Sequence, residues 1–298
     1  MKKVVCALLA VLVMCSVCYA KDSVTLGALT WLGTTEGEFQ EGLDDMRKAL
    51  APLISENSDW MEEDGMHDFL LELVKTRRVI RFYDSLLSMQ MALTARKIDE
   101  LVLPEAVATY LLANNSAYEV QFSLNMMPST ISFGFKAGND SLRKEFNAAI
   151  EAMKKDGTLA RLELDYIKDF GAEEPEQVKF TEFKGAKTIK AAVTGDLPPI
   201  DFIGADGRPA GYNTAILAEI GKRLKRNIRL ISVDAGGRSA ALASERADVV
   251  FWYRNTEGIK TPPKAKVKGF MKDSVSGVIL SVPYYEWDTD LVIGRAAQ

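Results

Sequence analysis

The strongest constraint on this chain is an alternation of short apolar runs with stretches of helical spacing. Val24-Thr25-Leu26-Gly27-Ala28-Leu29, Val79-Ile80-Arg81-Phe82-Tyr83 and Leu101-Val102-Leu103 read as strands. Gly33-Thr34-Thr35 turns the first of them toward a helical pattern that begins near Glu36. Leu86, Met89, Met91, Ala92 and Leu93 recur near helical spacing after the second, and Val107, Tyr110 and Leu111 after the third. Strands separated by helices cannot pair as hairpins; they run parallel, and a parallel sheet needs cover on both faces. The expected class is α/β.

A second series follows. Ile131 to Phe135 alternates as a strand, and Leu142, Phe146, Ile150 and Met153 make one apolar helix stripe that ends at Asp156-Gly157. A further amphipathic helix is expected to about Phe170. The acidic, apolar-poor stretch 171–184 reads as a linker. Then come a strand at 188–193, a Pro198-Pro199 loop, a helix at 213–224, a strand at 228–232, a helix at 237–245 and a strand at 248–253. The Lys-, Pro- and Gly-rich segment 255–275 reads as a loop, and Val278 to Val292 closes the chain as strand, turn and strand. Residues 51–76 form a polar, helix-like insertion that holds His67, expected at the surface.

The first twenty residues are expected to be no part of the fold. Lys2 and Lys3 precede an almost unbroken apolar run from Val4 to Val17, and Cys18-Tyr19-Ala20 sets small residues at a cleavage site before Lys21. That is the pattern of a signal peptide cut after Ala20, which implies the periplasm. A leader retained as an anchor is the alternative. All three cysteines, Cys6, Cys15 and Cys18, lie in this leader, so the mature chain is expected to use neither disulfides nor thiol chemistry. Losing Lys2 and Lys3 takes the formal charge from −4 to −6. An acidic chain with no basic block is a poor partner for nucleic acid. One histidine and no Cys/His spacing argue against a metal site, most hydrolase triads and a resident cofactor.

Several segments resemble the family 3 periplasmic solute-binding proteins. Gly195-Asp196-Leu197-Pro198-Pro199-Ile200-Asp201-Phe202, followed by Asp206-Gly207-Arg208-Pro209-Ala210-Gly211-Tyr212-Asn213, is similar to the family's opening loop, hairpin and turn into a helix. Ala241 to Val250 resembles its next helix-to-strand signature, and Ser281-Val282-Pro283-Tyr284-Tyr285 the end of its first lobe. Leu32 to Thr35, Ala95 to Asp99 and Lys155 to Leu159 resemble second-lobe and C-terminal signatures. The resemblance implies a two-lobed periplasmic-binding-protein-like fold (type II), each lobe a mainly parallel sheet flanked by helices, with a hinge between them. Here the second-lobe pieces come first, which implies a circular permutation. The expected organisation is a small lobe at 22–128 and a large lobe at 129–298. The large lobe would comprise C-terminal helices at 139–170, the linker, and the family's first lobe at 185–298. One covalent crossing is expected near Ser129 to Phe135, with the strand Thr289 to Gly294 supplying the second by pairing. Exchange of lobes between two chains, or a remnant of a tandem fusion, is the rival.

The function so implied is capture of a small polar solute, an amino acid or other carboxylate, in an interlobe cleft for an ABC permease. The protein would be a monomer, or a lobe-exchanged dimer, and not an enzyme. A sensing module that never transports, or a dehydratase on the same fold using Glu105, Asp196 or Asp201, is the alternative. Thr34 and Thr35 stand where a helix N-terminus and two hydroxyls suit a carboxylate, although Thr35-Glu36-Gly37-Glu38 also matches a capping box. Arg254 lies near the family's carboxylate-binding arginine but out of its register, and otherwise reads as a solvated strand-end residue. Glu105 follows Pro104, which occupies the family's ammonium-binding acid position, and otherwise reads as an early-helix acid. Leu197 takes the place of the family's cleft aromatic, which Trp252 or Trp31 could replace unless buried in the core. Asp196 lies in a matching loop, and Asn213 is expected to cap its helix. Asp99 and Asp248, each before a buried strand, read as structural.

Overall fold

A computed structural model of the chain describes residues 23–30, 35–55, 75–168, 177–204, 206–255 and 276–296. The leader, His67 and most of the 51–76 insertion, residues 171–176 of the linker, and 256–275 lie outside them. The first half builds β1 (Ser23–Leu29), α1 (Glu36–Ser55), β2 (Arg77–Tyr83), α2 (Leu86–Thr94), β3 (Glu100–Pro104) and α3 (Glu105–Asn114). A long β4 (Tyr118–Lys136) leads to α4 (Asp140–Lys155) and α5 (Thr158–Glu163), which runs on as a π turn over Leu164–Lys168. The second half adds β5 (Thr188–Val193), β6 (Asp196–Leu197), β7 (Asp201–Ile203), β8 (Pro209–Ala210), α6 (Tyr212–Leu224), β9 (Asn227–Ser232), a 3₁₀ turn over Ala235–Gly237, and α7 (Arg238–Ala243). β10 (Val249–Asn255), β11 (Val278–Leu280) and β12 (Tyr285–Arg295) complete it. The expected α/β alternation holds in both halves.

The main sheet has the order β2-β1-β3-β12-β4-β10-β5-β9, with β11 also on β4. It has two parallel wings, β2-β1-β3 and β10-β5-β9, joined by the antiparallel pair β12 and β4. β4 runs from one wing to the other and β12 returns beside it. Tyr285 registers with Ile131 at the second wing, and Asp290 to Gly294 register with Pro104 to Glu100 on β3 of the first. The chain therefore passes between the wings twice, and β12 makes its passage covalently as well as by pairing. The register slips at mid-passage, where Asp288 lies opposite Met126, Met127 and Pro128. A bulge at that point bends the ladder, and Pro128 has no N–H to give it. The sequence reading began this strand at Ile131, thirteen residues after β4 actually starts. Tyr118, Val120, Phe122 and Leu124 alternate with Glu119, Gln121, Ser123 and Asn125, which is the period-2 signal that was overlooked.

Each wing repeats the same local construction. Asp99, just before β3, accepts the Thr25 N–H at 2.8 Å on β1 and donates its own N–H to the Thr25 carbonyl at 2.8 Å. Asp248, just before β10, makes the same exchange with Lys190 on β5, both bonds again 2.8 Å. Arg96 (φ 57°) and Glu245 (φ 58°) take left-handed backbone at the end of α2 and α7. Both aspartates are structural, as the sequence suggested.

The outer edge of β2 is closed by side chains of α1. The Gln40 amide donates to the Arg78 carbonyl at 3.0 Å and accepts the Ile80 N–H at 2.9 Å, while Glu36 accepts the Phe82 N–H at 2.9 Å. This satisfies backbone groups that an edge strand would otherwise offer to another chain. The core is continuous through both wings. In the second wing Phe133 packs edge-on against Phe146, tilts on Phe251 and stacks on Tyr284 at 4.4 Å between ring centroids. This is how the α4 stripe and the root of β12 are fixed to the sheet.

Candidate functional site

The strands of both parallel wings end toward each other, and loops at the carboxyl ends of parallel strands are where such sheets place ligand sites. On the first wing these loops carry Thr30 after β1 and Asp84-Ser85 after β2. Thr30 donates its hydroxyl to Asp84 Oδ1 at 2.7 Å, and its N–H reaches the Tyr83 carbonyl at 2.9 Å. Ser85 caps α2, its hydroxyl accepting the Ser88 N–H at 3.1 Å. On the second wing they carry Thr194-Gly195-Asp196 after β5 and Val233 to Gly237 after β9.

The two sets touch. The Leu86 N–H, first of α2, donates to Asp196 Oδ2 at 2.8 Å, and the Ala235 N–H donates to the Asp84 carbonyl at 3.1 Å. A Cβ on Gly236 would stand 2.9 Å from Asp84 Oδ1, so glycine permits this approach. A carboxylate on a helix N-terminal N–H is favoured by both the hydrogen bond and the dipole. Burial nevertheless raises the Asp196 carboxyl above the ordinary range, against the Leu86 N–H, Thr194 and Arg238, which all lower it.

Asp201 supports this loop from beneath. Its Oδ2 accepts the Thr194 N–H at 2.8 Å and the Thr194 hydroxyl at 3.1 Å, and its Oδ1 accepts the Gly195 N–H at 3.1 Å. Full burial pushes its carboxyl up to about 6, outweighing those bonds. Arg238, 4% exposed, gives Nε to the Ala235 carbonyl at 2.8 Å and a terminal nitrogen to the Phe251 carbonyl at 3.1 Å. It ties the β9 loop to β10 and puts a positive charge near Asp196.

Of the residues expected here, Asp196 stands at the wing contact and Leu197 is buried in the core beside it. Thr35 forms the capping box: its hydroxyl accepts the Glu38 N–H at 3.2 Å, and Glu38 accepts the Thr35 N–H at 3.0 Å. Glu105 is the exposed first residue of α3. Trp252 and Arg254 contribute backbone to β10, Arg254 opposite Ile131, and their side chains lie outside the described residues, as do Trp31 and Thr34. Asn213 is not the cap it was expected to be. Gly211 holds that position at φ 91°, where a Cβ would meet the Pro199 carbonyl at 2.7 Å. Asn213 is instead buried, its Oδ1 accepting the Tyr284 hydroxyl at 3.0 Å. The helix forms one residue earlier because the Pro199 and Ile200 carbonyls take the Tyr212 and Asn213 N–H groups.

Sequence reasoning missed Thr30, Asp84, Gly236 and Arg238. A lone acid after a strand, or an arginine after two glycines, matches no motif. The usable signal was the internal parallel between 93–101 and 242–250, which marks the loops after β2 and β9 as equivalent strand ends. Among the described residues no three His, Cys, Asp or Glu side chains gather as metal ligands, and no helix is long and apolar enough to cross a membrane.

Residues 189–257 match the family model of bacterial extracellular solute-binding proteins, family 3. Among curated proteins, none matches the chain. Solved structures similar to it include the zinc-bound ligand binding component of an ABC-type import system from Staphylococcus aureus, at 10% identity and a TM-score of 0.41, covering 92% of this chain and 66% of that one. The periplasmic aliphatic sulphonate binding protein SsuA from Escherichia coli stands at 9% identity and 0.37, covering 93% and 62%. The alkanesulfonate-binding protein SsuA from Xanthomonas axonopodis pv. citri, bound to MOPS, stands at 6% and 0.40, covering 93% and 66%. The chain thus spans less than two thirds of the length of each of these proteins. Over β5 to β10, the segment that carries Asp196, Asp201 and Arg238, the chain is similar to the bacterial extracellular solute-binding proteins, family 3.

Proposed function

We propose that the protein is an exported solute-binding protein. Its two wings act as lobes, 22–128 and 129–298, that close on a small polar solute, an amino acid or other carboxylate, and deliver it to an ABC permease. One observation carries the reading. The loops of the family segment meet those of the other wing at the carboxyl ends of both sets of parallel strands, through Asp196 and the Leu86 N–H. A crevice bounded by two wings binds most tightly when they close on its contents, so binding energy is coupled to a change of shape and no bond need be made or broken.

In this reading Thr34, Thr35, Glu105, Asp196, Trp252 and Arg254 face the solute, and Leu197 backs them with apolar surface. Asp84 joins them on the first wing. The slip at Met126 to Pro128 serves as hinge in one strand, with Asp288 opposite it in the other. The order of the segments is that of a circular permutation. In support, Leu26 near the start of the described chain and Gly294 near its end both register with Glu100, on opposite sides of β3. Old and new termini that lie close together are what makes such a rearrangement tolerable.

Native mass spectrometry of the secreted protein, followed by a thermal-shift panel of amino acids and carboxylates, tests the function. A solute at a hundred times its Kd raises stability by about 2.7 kcal/mol. The expected result is a co-purifying small molecule and a raised melting temperature with its class. A panel in which nothing shifts the melting point contradicts the proposal.

A further inference from the structure

The contact between the wings is made by the protein alone. Asp196 Oδ2 sits 2.8 Å from the Leu86 N–H, and the Asp84 carbonyl 3.1 Å from the Ala235 N–H. Two charged groups act on the Asp196 carboxyl: Arg238 from α7 attracts it, and Asp201 from β7 shares its sign; Asp84 lies two residues before Leu86 on the facing loop. The Asp201 carboxylate fixes Thr194 and Gly195, so the loop that presents Asp196 is rigid whether or not the wings meet.

We propose that Asp196 and the N-terminus of α2 form a proton-coupled latch, in which closing the wings takes this carboxyl out of water and so takes up a proton. The linkage follows from geometry. An open crevice returns Asp196 to water, where a carboxylate is cheap. A closed one buries it, and a charge is then costly. A protonated carboxyl keeps one oxygen as acceptor, so the Leu86 hydrogen bond survives loss of the charge. The group binds its proton more tightly when closed, and burial at the wing contact acts on it in that upward direction. Acid therefore favours closure and neutral pH favours opening, in the absence of any solute. The latch does not depend on what the crevice binds, and it would hold in a sensor or an enzyme as well as in a transport protein.

The test is a distance measurement on the solute-free full chain. Spin labels on the Thr109→Cys and Lys222→Cys variant, both exposed positions on opposite wings, report the closed fraction by pulsed dipolar spectroscopy between pH 5 and pH 8. The expected closed-to-open ratio is at least threefold higher at pH 5. Asp196→Asn, which keeps an acceptor oxygen without a charge, is expected to stay closed with no pH dependence, and Asp196→Ala to open at every pH. A ratio unchanged with pH in the parent, or a pH dependence that persists in Asp196→Asn, overturns the proposal. Should Asp196→Asn fail to fold, carbon-detected NMR titration of the Asp196 carboxyl in the parent decides it. A midpoint within the ordinary aspartate range while the wings are closed contradicts the latch.

Discussion

The two wings are built alike and finished differently. Strands β2-β1-β3 and β9-β5-β10 have the same order, the same left-handed residue after the second helix, and the same reciprocal aspartate before the third strand. Within each wing the interior is filled in complementary ways. The first pairs Gly27 with Ile98, and a Cβ on Gly27 would meet Ile98 Cδ1 at 2.5 Å. The second has Ala192 and Ala247 at the matching places, both buried. At the strand ends the likeness stops. Thr30 serves Asp84 at an exposed rim, whereas Thr194 serves Asp201 in full burial. The shared parts are those that hold a βαβ unit together, and the divergent parts lie in the loops where the wings meet. The wings thus separate what folds the chain from what it meets.

The sharpest way to break this comparison is to exchange the paired residues. Ile98→Ala alone leaves a cavity beside Gly27 and is expected to cost about 2–5 kcal/mol. Gly27→Ala alone overpacks and is expected to cost about 1–3 kcal/mol. Together they reproduce the second wing's Ala-Ala pair, and the double variant should be more stable than the sum of the single losses implies, as measured by urea denaturation. Simple additivity would mean the wings are not alternative solutions to one packing problem.

The buried acid of the second wing gives the next largest effect. With a folded value of about 6 against about 3.9 in the unfolded chain, Asp201 favours the folded state when protonated. Its contribution is full below about pH 4 and is lost as pH rises through 6, an effect of a few kcal/mol. Asp201→Asn should flatten the stability profile over that window.

Asp99→Ala and Asp248→Ala each orphan one backbone N–H, of Thr25 or Lys190, and each should cost about 1–3 kcal/mol. Similar losses at the two sites sharpen the equivalence of the wings, and a loss at one alone breaks it. Smallest is Gln40→Ala, which uncovers the edge of β2 for about 1 kcal/mol. Increased self-association of the Gln40 variant in sedimentation velocity would show the edge exposed.

Much of this construction is legible in the sequence. Runs such as Val79 to Tyr83 and the Leu142-Phe146-Ile150-Met153 stripe bury enough apolar surface locally to reveal strand or helix without tertiary help. The Thr35 capping box is a contact over three residues and was equally plain. The first half of β4 was hidden because its polar alternation resembles a solvated loop. The wing contact was hidden for a different reason. Leu86 and Asp196 are 110 residues apart, and the N–H that makes the bond is backbone, which no residue type announces. Asp196 was singled out through its loop, but its hydrogen-bond partner could emerge only from the folded chain. Asn213 misled because capping residues are recognised by type, while here Gly211 and two loop carbonyls start the helix.

Two wings that are firm within themselves are expected to part from one another. Hydrogen exchange read by NMR separates these properties, because the Asp99 and Asp248 amides bond within a wing and the Leu86 and Ala235 amides bond between wings. Gly236→Leu drives a side chain into Asp84 and wedges the wing contact without touching either wing's interior. The account predicts that Leu86 and Ala235 exchange at least tenfold faster in this variant while Asp99 and Asp248 exchange as before. Equal acceleration at all four amides, or none at Leu86 and Ala235, would contradict it.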